Sequence, residues 1–312
     1  AGAGDDVEQR WCPAVSAAAA HLGRERTHPV EVVELDEQRP GSGGQKSHPR
    51  SLAHPPVGSV AGVTDINCDM GEGFGRWELG DDAQLMTQVS SASIACGFHA
   101  GDPRTMDAAV ALAADSGVSI GAHVAYPDLA GFGRRHLTVS VEQLVTDVLF
   151  QVGALQAFCT RHHTSVRYVK AHGALYNDLA EDVALADGLA DAVLALDAGL
   201  AVLTLAGSPS LAVMGERGVS VVGEAFADRA YTAEGRLVPR SQPGALITDP
   251  RSVADRAWRI AAGEPIDARD GTSITIRASS LCVHSDSPGA VALAAAVRRS
   301  LTDHEIPVAP FA

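Results

Sequence analysis

VTDINCDMGEG, residues 63–73, is a short β-branched, apolar run that stops on acids and glycines, and the same form returns four more times: ASIACGFHAGDP (92–103), GVSIGAHVAYPD (117–128), VRYVKAHGALYND (166–178) and LCVHSDSPG (281–289). Buried parallel strands read as short hydrophobic runs. In a (β/α) barrel the reacting groups sit at the C-terminal ends of such strands, where the βα loops converge. The pattern therefore predicts one cleft that gathers Asp69, Glu72, His99, His123, Lys170, His172 and His284.

Outward from those runs, strand and helix patterns alternate, which is the signature of a parallel sheet with crossover helices. Strands are expected at 63–67, 91–96, 118–122, 166–170, 201–205, 219–224 and 281–284, one short of an eightfold barrel. Helical periods cover 106–115, 141–162, 185–196, 252–262 and 290–301. A capping residue followed by proline marks helix starts at Asp102-Pro103, Ser208-Pro209, Asp249-Pro250 and Ser287-Pro288. Asp102 reads equally as a helix cap and as a catalytic acid.

Residues 1–60 differ in character. They hold scattered charges, a PGSGG stretch and four irregularly spaced histidines (His21, His28, His48, His54), with no sustained hydrophobic period. Disorder is expected there, without metal binding, and the barrel domain is expected over 61–312. The abruptness of the change suggests a native start near Val57 or Val60, which N-terminal sequencing of the natively expressed protein would test.

Composition narrows the class. A chain of 312 residues, 46% hydrophobic and with a net charge of -14, has material for a barrel-sized core and no basic surface for a nucleic-acid backbone. No stretch approaches the roughly 20 apolar residues of a membrane span, and a cytoplasmic location is expected. Five cysteines without CxxC spacing do not describe a disulfide framework; Cys68, Cys96 and Cys282 read as small buried hydrophobes. Neither GxxxxGK[ST] nor a strand-to-helix GxGxxG is present.

The chain has two lysines, Lys46 and Lys170, and only the second falls in the expected barrel. Where arginine is otherwise used throughout, a lysine at a strand end points to work that needs a compact ammonium, although a structural ion pair would also explain it. His99, His123, His172 and His284 occupy corresponding strand ends, where imidazole serves as acid, base or ligand. His136, His162, His163 and His304 read as solvated.

From Asp65 to about Leu301 the sequence resembles the LamB/YcsF family. The resemblance rests on DINCDMGEGFG, SASIACGFHAGDP, GAHVAYPD, GFGRR, QVGALQAF, VKAHGALYN, LAGS, GEAFADRAY, LVPRSQPGALI and LCVHSDSPG, in that order. It implies a (β/α) barrel of the glycoside hydrolase and deacetylase type, often seven-stranded. It also implies cleavage of 5-oxo-L-proline to L-glutamate coupled to hydrolysis of ATP, with Mg2+, in a 5-oxoprolinase whose subunits B and C are the partners. Phosphorylating the lactam oxygen would activate the ring for attack by water.

On that resemblance, Lys170 and either His99 or His123 are expected to stabilise charge on the lactam or phosphoryl oxygen, and Asp69 or Glu72 to act as base. His172 or His284 would protonate the departing nitrogen, and Arg229 or Arg240 would hold the substrate carboxylate. A rim salt bridge is an equal alternative for either arginine. Tyr176, Tyr231, Ser241 and Gln242 are expected as neutral substrate contacts, with Glu224 orienting a partner. Lys170→Ala is expected to abolish activity with the fold intact. Val124, Ala171 and Ser285 depart from the family's usual proline, proline and glycine, which bears on substrate choice.

Two rival readings use the same residues. An aspartate with two histidines at strand ends would suit a divalent ion in a barrel amidohydrolase or deacetylase, although HxH and HExxH spacings are missing. A non-catalytic binding or assembly subunit is the other, disfavoured by so many titratable groups in one cleft.

Overall fold

A computed structural model describes residues 63–286 and 289–312. The expectations for residues 1–60 and the Ser287-Pro288 helix start lie outside those residues. Seven parallel strands form a closed barrel: β1 (Asp65–Met70), β2 (Ser91–Ala95), β3 (Ser119–Val124), β4 (Val166–Ala171), β5 (Ala201–Leu205), β6 (Ser220–Phe226) and, after a short antiparallel hairpin of β7 (Ile266–Asp267) and β8 (Ser273–Ile274), β9 (Ser280–Val283). Strand β9 pairs with both β6 and β1 and so closes the ring.

Helices α1 (Asp82–Met86), α2 (Pro103–Ser116), α3 (Val141–Arg161), α4 (Gly173–Glu181), α5 (Val183–Leu196), α6 (Pro209–Glu216), α7 (Pro250–Ala262) and α8 (Ala290–Asp303), with a single 3-10 turn at Leu129–Gly131, complete the described elements. None is long and apolar enough to cross a membrane. Helix α3 shows how the outer layer attaches. Leu144, Val148, Val152 and Leu155 recur at helical spacing and are all buried, each contributing roughly 1.5–3 kcal/mol of burial. Removing one, as in Leu155→Ala, would cost about 2–5 kcal/mol. Ser140 starts the helix by accepting from Gln143 N at 3.1 Å.

Asp102 has a structural task. Its Oδ1 accepts from Arg104 N at 2.8 Å and Thr105 N at 3.2 Å to cap α2, and its Oδ2 accepts from Gly75 N at 2.7 Å. Those contacts hold its pKa down at about 2. Asp249 caps α7 similarly, whereas Ser208 leaves the start of α6 uncapped and bonds Ser210 instead.

Successive residues of β1 serve two compartments, as a period of two requires. Ile66, Cys68 and Met70 join the apolar layer beneath the helices. Asn67 reaches Glu224 of β6 and Lys170 of β4, neither of which neighbours β1, so those hydrogen bonds cross the barrel interior. The interior is therefore polar at mid-height. Lower down it is filled by Tyr168, Ala201 and Leu203, with Phe311 tilted against the Tyr168 ring at 4.9 Å. Gly121 makes this possible: a Cβ there would lie 2.2 Å from the Tyr168 ring.

Candidate active site

Asp69 lies near the C-terminal end of β1, His123 in β3, Lys170 in β4 and Glu224 in β6. Glu72 and His99 follow β1 and β2, His172 precedes α4, and His284 follows β9. All eight are buried. A cleft of about 600 Å³ opens over them, lined by Asp69, Glu72, His123, Lys170, His172 and His284 among others. That volume falls within the range of small-molecule sites.

Lys170 forms the floor. Its Nζ donates to Asn67 Oδ1 at 2.9 Å and Asp69 Oδ1 at 2.9 Å, and is paired with Glu224 Oε1 at 2.8 Å; Cys282 Sγ is 3.2 Å away. Burial opposes the ammonium charge, but Asp69 and Glu224 outweigh it and raise the pKa well above its ordinary value. Three protons thus have three oxygen partners. The contacts continue downward: Asn67 donates to Ser280 Oγ at 2.8 Å, and Ser280, Ser90 and Ser91 all donate to Asp65. Glu224 also accepts from the Tyr176 hydroxyl at 2.8 Å.

The cleft has two further groups. In one, Glu72 Oε1 lies 3.2 Å from His99 Nε2 and 3.4 Å from His172 Nδ1, and His123 Nε2 lies 3.3 Å from Asp69 Oδ2. His99 stacks on His172 at 3.8 Å between ring centroids. Burial lowers the pKa of both imidazoles well below the ordinary value. The two carboxylates diverge. Burial raises Glu72; it opposes ionisation of Asp69 too, but His123 and Lys170 outweigh it there and hold Asp69 well below its ordinary value. Carboxylates pushed apart in this way suit different roles.

In the other group, Asp228 Oδ2 accepts from His284 Nδ1 at 2.7 Å, which directs the second ring nitrogen away from the carboxylate. Burial opposes the Asp228 charge, but His284 beside it lowers the pKa overall. The His284 ring stacks on Phe226 at 5.2 Å.

The GFGRR segment forms one wall. Phe132 adopts a left-handed conformation, φ 55°, unusual for a bulky side chain, and its carbonyl accepts from His172 Nε2 at 2.9 Å. Gly133, at φ 64°, lies so close that a Cβ would be 2.8 Å from both His172 Cδ2 and His99 Cβ. Arg134 and Arg240 both pair with Asp286 at the rim. Arg229 is buried against the cleft; one Nη donates to Val238 O at 2.7 Å, while its Nε has no partner among the described residues.

Of the expected contacts, Tyr176, Arg229, Arg240 and Ser241 line the cleft. His99 and Glu224 stand behind lining residues and act through Glu72 and Lys170. Tyr231 and Gln242 are elsewhere: the Tyr231 hydroxyl accepts from Phe226 N at 2.8 Å, and exposed Gln242 receives Arg269. Asn67, Asp228, Arg134 and Asp286 belong to the site although sequence reading passed over them. Asn67 and Asp228 fall within DINCDM and FADRAY, where strand-end position was the available signal.

The LamB/YcsF family profile matches residues 64–312. A protein of Streptomyces avermitilis, named as the A subunit of 5-oxoprolinase, is 52% identical over 250 residues, 80% of this chain and all of the relative. One of the same name from Mycobacterium avium is 48% identical over 252 residues, 81% of this chain and all of the relative. The crystal structure of a lactam utilization protein from Thermus thermophilus superposes with a TM-score of 0.76 at 42% identity, covering 80% of this chain and all of that one.

Proposed function

Since the chain belongs to the LamB/YcsF family, we propose that it is the A subunit of a 5-oxoprolinase, which opens the lactam of 5-oxo-L-proline to give L-glutamate. Hydrolysis coupled to ATP with Mg2+, and assembly with subunits B and C, are part of the proposal. The observation that carries it is the pairing of two proton-handling groups, Glu72 with its histidines and His284 with Asp228, in one cleft over a buried cation.

A lactam is an amide with a weakly electrophilic carbonyl and a poor leaving group. Transfer of the terminal phosphoryl group of ATP to the carbonyl oxygen, releasing ADP, turns that oxygen into a leaving group and makes the carbon open to water. Glu72, its pKa raised by burial, accepts the proton of the attacking water. His284, held by Asp228, takes up a proton at Nε2 and passes it to the ring nitrogen as the carbon–nitrogen bond breaks. Ring opening leaves the carbon as an acyl phosphate, and a second water displaces phosphate from it to give glutamate.

Lys170 takes a different role from the expected one. With its protons engaged by Asn67, Asp69 and Glu224, contact with the lactam oxygen would require breaking one of those bonds. We assign it to positioning Asp69 and neutralising the two carboxylates. Arg229, with a nitrogen to spare, is assigned the substrate carboxylate, and Arg240 closes the rim with Asp286.

Glutamate and ADP release from 5-oxo-L-proline, ATP and Mg2+ by this chain mixed with its cognate B and C subunits tests the reading. Release that needs this chain supports it. No glutamate from a demonstrably assembled complex would overturn it.

A further inference from the structure

Two backbone carbonyls fix the protons on two histidines. Lys170 O is 3.2 Å from His123 Nδ1, and Phe132 O is 2.9 Å from His172 Nε2. A carbonyl can only accept, so those two nitrogens carry the hydrogens. His123 Nε2 and His172 Nδ1 are then bare lone pairs, yet they face each other at 3.0 Å. Glu72 Oε1 closes on the same point, 3.4 Å from the His172 nitrogen and 4.0 Å from the His123 nitrogen. Three acceptors aimed at one another in a buried space repel unless a positive charge lies between them.

The spacing says what size of charge fits. In a triangle with those three sides, the point equidistant from all corners lies about 2 Å from each, which is the length of a zinc bond to imidazole nitrogen or carboxylate oxygen. His99 Nε2 is 3.2 Å from the same Glu72 oxygen, and its ring, stacked on His172, backs the site. Backbone acceptors on the far ring nitrogens also match the way imidazole ligands are oriented around metals. The left-handed Phe132 gains a purpose here, since its carbonyl fixes the His172 tautomer.

We propose that Glu72, His123 and His172, with water completing the shell, hold a divalent transition-metal ion of the zinc class. The ligand set of imidazoles and one carboxylate suits such an ion better than the oxygen-only shell of magnesium or calcium. When bound, the ion lowers the pKa of a coordinated water. Glu72 meets the ion through Oε1, and its Oε2, which accepts from Ser285 Oγ at 3.3 Å, is left to take the proton of the water. The site stands on geometry alone, so its test needs no turnover and its failure would leave the substrate assignment untouched.

The full chain, stripped with chelator and desalted, is titrated with Zn2+ by calorimetry, and bound metal is then counted by mass spectrometry. About one zinc per chain is expected, with affinity reduced at least about tenfold in His123→Ala and His172→Ala and unchanged in His162→Ala. Unchanged affinity in folded His123→Ala and His172→Ala, or no retained zinc in the wild type, would overturn the site and leave a shared proton as the charge between the histidines. If the variants fail to fold, Co2+ added to the wild type decides: intense visible absorption of a four-coordinate nitrogen and oxygen site is expected, and its absence counts against the proposal.

Discussion

Asp228 and His284 are 56 residues apart in the chain, yet they meet through a 2.7 Å hydrogen bond between Oδ2 and Nδ1, both buried. The carboxylate fixes the tautomer of an imidazole that faces the cleft, as in triads where the acid orients the base. Asp228→Asn preserves shape but can donate its amide hydrogen to Nδ1 and so favour the wrong tautomer. Glutamate formation by the assembled enzyme is expected to fall by about 10²–10⁴, with little change in KM. A variant within twofold of wild type would remove His284 from the proton path.

Lys170 is so enclosed that an intact fold after Lys170→Ala is no longer expected. Removing the ammonium leaves Asp69 and Glu224 buried without their cation, a loss of about 3–5 kcal/mol. Lys170→Met is expected to lower the urea midpoint accordingly and to abolish turnover. Adding Glu224→Gln should recover part of the stability, because one stranded charge is gone. Additive losses in that double variant would show that the two side chains are not coupled.

Asp65 makes stability depend on pH in an unusual direction. Burial raises its pKa from 3.8 to about 6, although three serine hydroxyls act against the rise. The folded state then holds this proton more tightly than the unfolded state. The contribution is fully present below pH 3.8 and is lost as pH rises through 6, amounting to at most about 3 kcal/mol. Urea titrations between pH 4 and 7 should show Asp65→Asn gaining on the wild type as pH rises; parallel curves would discount the shift.

Gly133→Ala adds a methyl where two histidines leave no room, and does so at φ 64°. A loss of about 1–3 kcal/mol is expected. The larger effect should be on turnover, since His99 and His172 must move. Activity retained alongside an unchanged unfolding midpoint would mean the wall gives way without cost.

Arg229→Gln should weaken binding of 5-oxo-L-proline by about tenfold to a hundredfold, the scale of a hydrogen bond to a charged group. 2-Pyrrolidinone, which has the lactam but no carboxylate, should bind both forms equally. An equal loss for both ligands would assign Arg229 to the wall rather than to the carboxylate.

The barrel was legible in the sequence because its strands are apolar on their outer faces and end in reactive loops. Edges were less so. Strand β1 was expected over 63–67 but runs Asp65–Met70, since Asp69 looks like a loop residue until the polar interior is known. His123 likewise moved from a loop into β3. Helix α4 was missed because it starts at Gly173, directly after His172, and spans only nine residues. Partners such as Asp228 for His284, or Asn67 for Lys170, depend on closure of the ring, which no local pattern encodes. The meeting of His99, His123 and His172 is of the same kind. Strand ends predicted that they would share a cleft, but only their backbone acceptors reveal which nitrogens face one another.

Beneath the polar floor, Tyr168 fills the space that Gly121 leaves, and Phe311 stoppers it from below. The cleft is thus a cul-de-sac. Whatever enters past Arg134 and Arg240 must back out by the same door. Any protein that rests on this rim must leave that door clear or carry its passage onward.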